Sequence, residues 1–349
     1  MGHPRPIGPS DDAGLILLSR SSSPRSAPCP LCRRRFTASY TLCRLGFFEN
    51  HLKWHGSRSV SFDPEVVGAT AARLLRFIRV EHTVFTLPMA YAAALLAGGH
   101  MDLWRAVFIG LAVFGLRTAG MSWNNIADYP IDRLNPRTQG RMLVAGKVSF
   151  REAYGVFAFG AAVFILSAAA LGRWPLILAA PYLLVVVTYP YAKRLHCMPH
   201  LHLGLVYALV PLGAAIAMHP DDLEAALAKT PWLLVAASAL WVAGFDVMYS
   251  KGDYHFDKTH GLGSVAACFG LKTADATALL LLTTSAALYV ANHLLYGLST
   301  WGLPATLAGA ALEVYSAILG ARGEVARAFN LNLAVGLLIP LGIFTGLYT

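Results

Sequence analysis

The sequence predicts an all-α integral membrane protein of about nine transmembrane helices, with its active site opening to the cytoplasmic face. Three observations predict it. Only 13% of the 349 residues are charged and 56% are hydrophobic, against roughly 25% charged in a soluble domain. Apolar stretches near the ~20 residues needed to cross a bilayer follow one another from Leu74 to the C-terminus. The charges between them sort cleanly to one side.

The nine stretches are Thr83–Ala97, Trp104–Trp123, Tyr154–Leu171, Pro175–Tyr189, His202–Met218, Pro231–Met248, Ala274–Leu295, Leu303–Leu319 and Leu331–Leu347. The first and fifth are short. Continuous apolar runs specify helices rather than barrel strands, which alternate apolar and polar residues. Arg73, Arg76 and Arg79 precede the first span and place the N-terminus in the cytoplasm. The cytoplasmic loops then carry twelve Arg and Lys residues: Arg133, Arg137, Arg141, Lys147, Arg151, Lys193, Arg194, Lys251, Lys258, Lys272, Arg322 and Arg327. The opposite loops carry three, Arg105, Arg173 and Lys229. This bias accounts for the net charge of +9 without a nucleic-acid partner. It places the chain in the cell (inner) membrane, with the mitochondrial inner membrane as the alternative. Cys197 and Cys268 fall singly in or near helices and read as core residues.

Two acidic clusters lie on that cytoplasmic side. Asn124, Asp128 and Asp132 are spaced i, i+4, i+8, which stacks them on one helical face. Pro130 limits how regularly the helix runs to the last of them. Asp253 and Asp257 repeat the i, i+4 pairing, and Asp246 lies two helical turns earlier. A single Asp beside a span needs no more than a loop end to solvate. Five at matched spacing, at two helix ends, point further. Like charges at i, i+4 repel, and Mg²⁺ relieves that by taking a few carboxylates plus substrate phosphate oxygens.

Basic residues complete the picture. Arg137 and Arg141 lie after the first cluster, and Tyr189 and Lys193-Arg194 close the fourth span. Arg and Lys suit a diphosphate, although the positive-inside bias alone is an equal reading for Lys193 or Arg194. Arg117 sits inside the second span, on the face of Met121, Asn124 and Asp128. A cation at that depth is functional or paired, an ion pair with Asp128 being the structural alternative.

These residues resemble the UbiA superfamily of intramembrane prenyltransferases. Asn124, Asn125, Asp128 and Asp132 fit its N-D-x-x-D-x-x-x-D, and Asp253 and Asp257 its D-x-x-x-D, preceded by a family-like Asp246. Tyr189 and Lys193 fit Y-x-x-x-K; Arg137-Thr138 and Arg141 resemble R-T-x-x-R; Gly261, Ser264 and Gly270 fit the stretch after the second motif. The likeness runs from about residue 70 to the end. Asn125 stands where the family usually has Asp, and Met142 where it has Pro. His260 and Gly263 also depart from the usual wording.

The resemblance implies transfer of a polyprenyl group from a polyprenyl diphosphate to a small aromatic acceptor such as 4-hydroxybenzoate, in ubiquinone or menaquinone biosynthesis. It implies Mg²⁺ held by Asn124, Asp128, Asp253 and Asp257, with Asp132 and Asp246 supporting. It also implies substrate binding by Asn125, Arg117, Arg137, Arg141, Tyr189 and Lys193, and catalytic roles for Asp128, Asp132, Asp253 and Asp257. Haem, homogentisate and chlorophyllide are alternative acceptors. Arg76, Arg79, Glu81 and His82 are candidates to hold an acceptor carboxylate or phenol, and interfacial charge serves as well for each.

Residues 1–65 match nothing in that family and read as a poorly structured extension before a membrane domain at 66–349. Cys29, Cys32, His51 and His55 invite a zinc reading, but 18 residues separate Cys32 from His51. The Arg/Ser-rich run Ser19–Ser26 fits a transit peptide, which Asp11, Asp12 and Glu49 weaken. Outside the enzyme class, a carboxylate-based transporter is the competing reading. It expects inverted repeats with sites at the midplane, whereas both clusters here lie at one surface.

Overall fold

A computed structural model describes residues 64–80, 83–98 and 100–349. The readings made on residues 1–63, and on Glu81 and His82, lie outside these. Thirteen α-helices occur among the described residues: α1 Pro64–Phe77, α2 Thr83–Gly98, α3 Leu103–Asp132, α4 Phe150–Leu171, α5 Arg173–Thr188, α6 Pro199–Met218, α7 Leu223–Lys229, α8 Trp232–Ser250, α9 Tyr254–His260, α10 Val265–Phe269, α11 Leu271–Leu295, α12 Leu303–Ala321 and α13 Val325–Tyr348. Two 3₁₀ turns, Tyr189–Arg194 and Lys251–Asp253, extend α5 and α8.

Eight of these elements are long and apolar enough to cross a membrane. The apolar part of α2, Phe85–Gly98, is shorter, in line with the short first span the sequence predicts. The fifth predicted span is longer than expected, because Pro199 opens α6 in the first helical turn and gives 20 residues. Outward-facing Leu166, Leu184 and Leu280 are 63–68% exposed, as side chains bordering lipid should be.

Local sequence starts these helices. Asp102 caps α3 by accepting from the Arg105 amide, and Ser149 with Glu152 forms a reciprocal capping box on α4. Gly172 joins α4 to α5 at φ 136°, a conformation open to glycine.

Small residues let the helices approach, the usual device where lipid removes the hydrophobic drive for association. A Cβ on Gly115 would meet Phe164 N at 2.6 Å, and one on Gly160 would meet Ala119 N at 2.6 Å, so α3 and α4 touch backbone to backbone. The buried alanines of α2, Ala90, Ala92, Ala93, Ala94 and Ala97, do the same for the central helix, which packs on α3, α6 and α13. The deepest cluster joins Met89, Leu234, Trp241, Leu282, Tyr289 and Ile339.

The packing brings the C-terminal ends of α3, α5 and α8 to the same end of the bundle as the N-terminal ends of α6 and α11. That end is the one Arg and Lys assign to the cytoplasm.

Candidate active site

The first acidic cluster occupies the last three turns of α3, which runs through Pro130 to Asp132. Asp128 and Asp132 are only 4% and 3% exposed. Burying a carboxylate is costly unless it is paired, and each is. Lys193 Nζ lies 2.8 Å from Asp128 Oδ2, and Arg194 is 3.5 Å from Oδ1. Asn124 donates to Asp128 Oδ2 at 3.2 Å. Arg141 pairs with Asp132. Tyr189, Lys193 and Arg194 reach this face because the chain tightens into a 3₁₀ turn on leaving α5. Arg194 is fixed further by donating to Ala127 O at 2.6 Å.

The second cluster is tied to the first by the loop after α3. Arg137 donates to both carboxylate oxygens of Asp253, its Nε at 2.7 Å from Oδ1. Asn135 adds a bond to the same Oδ1 at 2.8 Å, and the Arg137 guanidinium stacks 4.7 Å from the Tyr249 ring. Planar bidentate pairing of this kind is what Arg does and Lys does not. Asp257 and Lys193 border one surface basin of about 300 Å³, between the end of the first 3₁₀ turn and the segment that follows Asp257. Asp246 faces α6, where His200 Nδ1 lies 2.7 Å from its Oδ2.

A second space opens on the membrane side of Tyr189. This chamber, of about 260 Å³, is lined by Phe85, Thr86, Leu116, Arg117, Met121, Tyr189, Tyr207, Trp241, Phe245, Phe329 and Asn332, among others. Its walls are mostly apolar and aromatic. Tyr207 meets Trp241 edge to face at 5.6 Å, and Trp241 donates to Asn332 Oδ1 at 2.9 Å. Arg117 donates to Thr86 at 3.4 Å, while the cations on Asp128 come from the 3₁₀ turn after α5. Arg117 lines the chamber, about two to four helical turns from the acidic face.

Residues 85–347 match the UbiA prenyltransferase family. The chain belongs to the UbiA prenyltransferase family. It is accordingly a multi-pass prenyltransferase of the cell (inner) membrane. Two similar proteins are 4-hydroxybenzoate octaprenyltransferases. That of Aeromonas salmonicida (strain A449) is 31% identical over 77% of this chain and 93% of its own length. That of Xanthomonas campestris pv. campestris (strain B100) is 34% identical over 74% and 85%. The apo structure of a UbiA homolog from Aeropyrum pernix K1 superposes with a TM-score of 0.73 and 46% identity, over 76% of this chain and 97% of that one. A UbiA homolog from Archaeoglobus fulgidus, solved bound to GPP and Mg²⁺, shares the fold at a TM-score of 0.57 and 21% identity, over 78% and 99%.

Against this family frame, Asn124, Asp128, Asp132, Arg141, Tyr189 and Lys193 gather on one side of the site, and Arg137, Asp253 and Asp257 on the other. Asn125 stands apart: its amide donates to Met121 O at 2.7 Å, turned into its own helix. Arg76 and Arg79 are exposed on and just after α1 and do not line the chamber. One expectation is overturned. Cys197 and Cys268 are not single core residues but a disulfide, with Cα atoms 6.0 Å apart. Helix packing brings them together across 71 residues, a distance over which spacing carries no pairing signal. His200 escaped the sequence reading altogether, as one histidine at the start of an apolar run.

The donor set suits a hard divalent cation. It is made of carboxylate and amide oxygens, and buried Asp128 Oδ1 accepts no hydrogen bond. Among the described residues no three His, Cys, Asp or Glu are grouped to enclose a metal ion.

Proposed function

We propose that the chain transfers a polyprenyl group from its diphosphate to 4-hydroxybenzoate, with Mg²⁺ as cofactor. One observation carries the reading: carboxylates and cations alternate across the wet end of an aromatic-lined chamber that runs into the membrane. A polyprenyl diphosphate has the same polarity, a charged head on an apolar tail. The two relatives named for 4-hydroxybenzoate octaprenyl transfer supply the acceptor class.

Asn124, Asp128, Asp253 and Asp257 would hold the cation, with Asp132 and Asp246 behind them. When bound, Mg²⁺ neutralises diphosphate charge as the leaving group departs. Lys193, Arg137 and Arg141 are already aligned by the carboxylates they pair with, so they meet the diphosphate without reorganising. Tyr189, which lines the chamber, would hydrogen-bond it through its hydroxyl. Breaking the C–O bond leaves an allylic cation, and the faces of Phe245, Phe329 and Trp241 stabilise it while excluding water. Arg117 lies in the same chamber and suits the acceptor's carboxylate, placing the phenol ring for attack. The new C–C bond forms ortho to the hydroxyl, and the ring then loses a proton to recover aromaticity.

The test is product analysis. The full chain in nanodiscs is given geranyl or longer diphosphates with 4-hydroxybenzoate, homogentisate and a phenol lacking the carboxylate. Prenylated 4-hydroxybenzoate is the expected product. Product from homogentisate alone would move the acceptor, and no product with any acceptor would overturn the reading.

A further inference from the structure

His200 lies outside every acidic and basic motif, yet three pieces of the site meet at its ring. It is the second residue of α6 and 2% exposed. Nδ1 lies 2.7 Å from Asp246 Oδ2 on α8. Nε2 accepts the backbone N–H of Val265, the first residue of α10, at 3.3 Å. The second contact fixes the first. With Nε2 turned to that backbone N–H, Nδ1 is the ring nitrogen left to donate to the Asp246 carboxylate.

The frame around this ring is rigid. Gly263 N donates to Lys193 O at 2.6 Å, and a Cβ on Gly263 would lie 2.1 Å from His196 O. The Cys197–Cys268 disulfide closes the same seam, and the Ser264 hydroxyl accepts from the Ala267 amide at 3.1 Å to start α10. Lys193, which holds Asp128, and the segment following Asp257 are thus one unit, and His200 reaches from it to Asp246.

We infer that His200 is a positioning residue: it holds the Asp246 carboxylate in register with the cation and diphosphate, and ties that register to the segment after the second acidic pair. The inference rests on the reading of Asp246 as a residue supporting the cation. Carboxylates near a metal are themselves held by hydrogen bonds, and loss of such a partner costs about 10–100-fold in metal affinity or activity.

The experiment measures Mn²⁺ binding by electron paramagnetic resonance, using the full chain in nanodiscs with geranyl thiolodiphosphate as an unreactive donor. His200→Phe keeps the ring volume and removes the donor; His200→Met replaces it if Phe disrupts folding. His200→Asn keeps a donor at the δ position. We expect His200→Phe to raise the Mn²⁺ Kd about 10–100-fold, His200→Asn to recover most of the loss, and His200→Phe to add little in an Asp246→Asn background. If Asp246→Asn weakens Mn²⁺ and His200→Phe does not, His200 only packs and the inference falls alone. If Asp246→Asn leaves Mn²⁺ binding unchanged, the reading of Asp246 fails and takes the inference with it. Full additivity of the two substitutions would also overturn it.

Discussion

Arg137 and Asp253 are 116 residues apart in the chain, and a two-pronged ion pair joins them. The pair spans from the loop after α3 to the 3₁₀ turn after α8, so the second acidic cluster is held in place by a cation from the loop that follows the first. Hydrogen bonds to charged groups contribute about 1.5–3 kcal/mol. The two partners are partly exposed at 34% and 16%, so the lower end of that range applies. Arg137→Ala is expected to raise the donor KM about tenfold. Arg137→Lys keeps the charge but loses the fork and the stacking on Tyr249, and should recover little. Steady-state kinetics on both variants check this; full recovery by Lys would mean that charge alone matters.

Asp128 has the densest set of partners in the site: Asn124, Lys193 and Arg194. Asp128→Asn removes the charge and leaves Lys193 beside a neutral amide. Loss of one preorganised electrostatic group costs about 10²–10³ in kcat, and a fall of that size is expected here. Lys193→Gln should give a smaller fall with a raised donor KM, because Arg194 remains close to Asp128. Single-turnover rates at saturating donor separate the two effects.

The Cys197–Cys268 disulfide closes a 71-residue separation. Cross-links of that reach add about 2–4 kcal/mol to stability, mostly by limiting the unfolded chain. Cys197→Ser is therefore expected to lower the thermal midpoint, and dithiothreitol should do the same to the native chain but not to the variant. Thiols on a cytoplasmic face are ordinarily kept reduced. Non-reducing mass spectrometry of protein alkylated in intact cells should find these two cysteines protected; two alkylated cysteines would refute the pairing.

Gly263 sits where backbone touches backbone. Gly263→Ala would place Cβ 2.1 Å from His196 O and 2.7 Å from its carbonyl carbon, and neither atom is the end of a flexible side chain. Such overpacking costs about 1–3 kcal/mol. It should also move Lys193, whose carbonyl accepts from the Gly263 amide. Melting curves and donor KM are expected to change together. A destabilised variant with an unchanged KM would show that the seam does not set the position of Lys193.

Much of this architecture was legible in the sequence because bilayer physics leaves few choices. Each of the nine apolar runs corresponds to a helix, and the loops richest in Arg and Lys gather at one end of the bundle. Asn124, Asp128 and Asp132 could be placed on one face from spacing alone. What spacing does not carry is contact between distant segments. Arg137 and Lys193 read in the sequence as cations suited to a diphosphate, but that Arg137 pairs with Asp253 and Lys193 with Asp128 depends on helix packing. His200 and the disulfide share that cause: their partners lie 46 and 71 residues away. Asn125 shows a local limit of the same kind, since spacing does not tell that its amide donates back to Met121.

The most direct test of the central claim is a Mg²⁺ titration of prenyl transfer to 4-hydroxybenzoate by the full chain in nanodiscs, run beside Asp128→Ala. Saturable, EDTA-sensitive product formation that Asp128→Ala abolishes is the predicted result. Transfer that proceeds equally in EDTA, or survives intact in Asp128→Ala, would contradict a reaction driven by cation-held diphosphate at this acidic face.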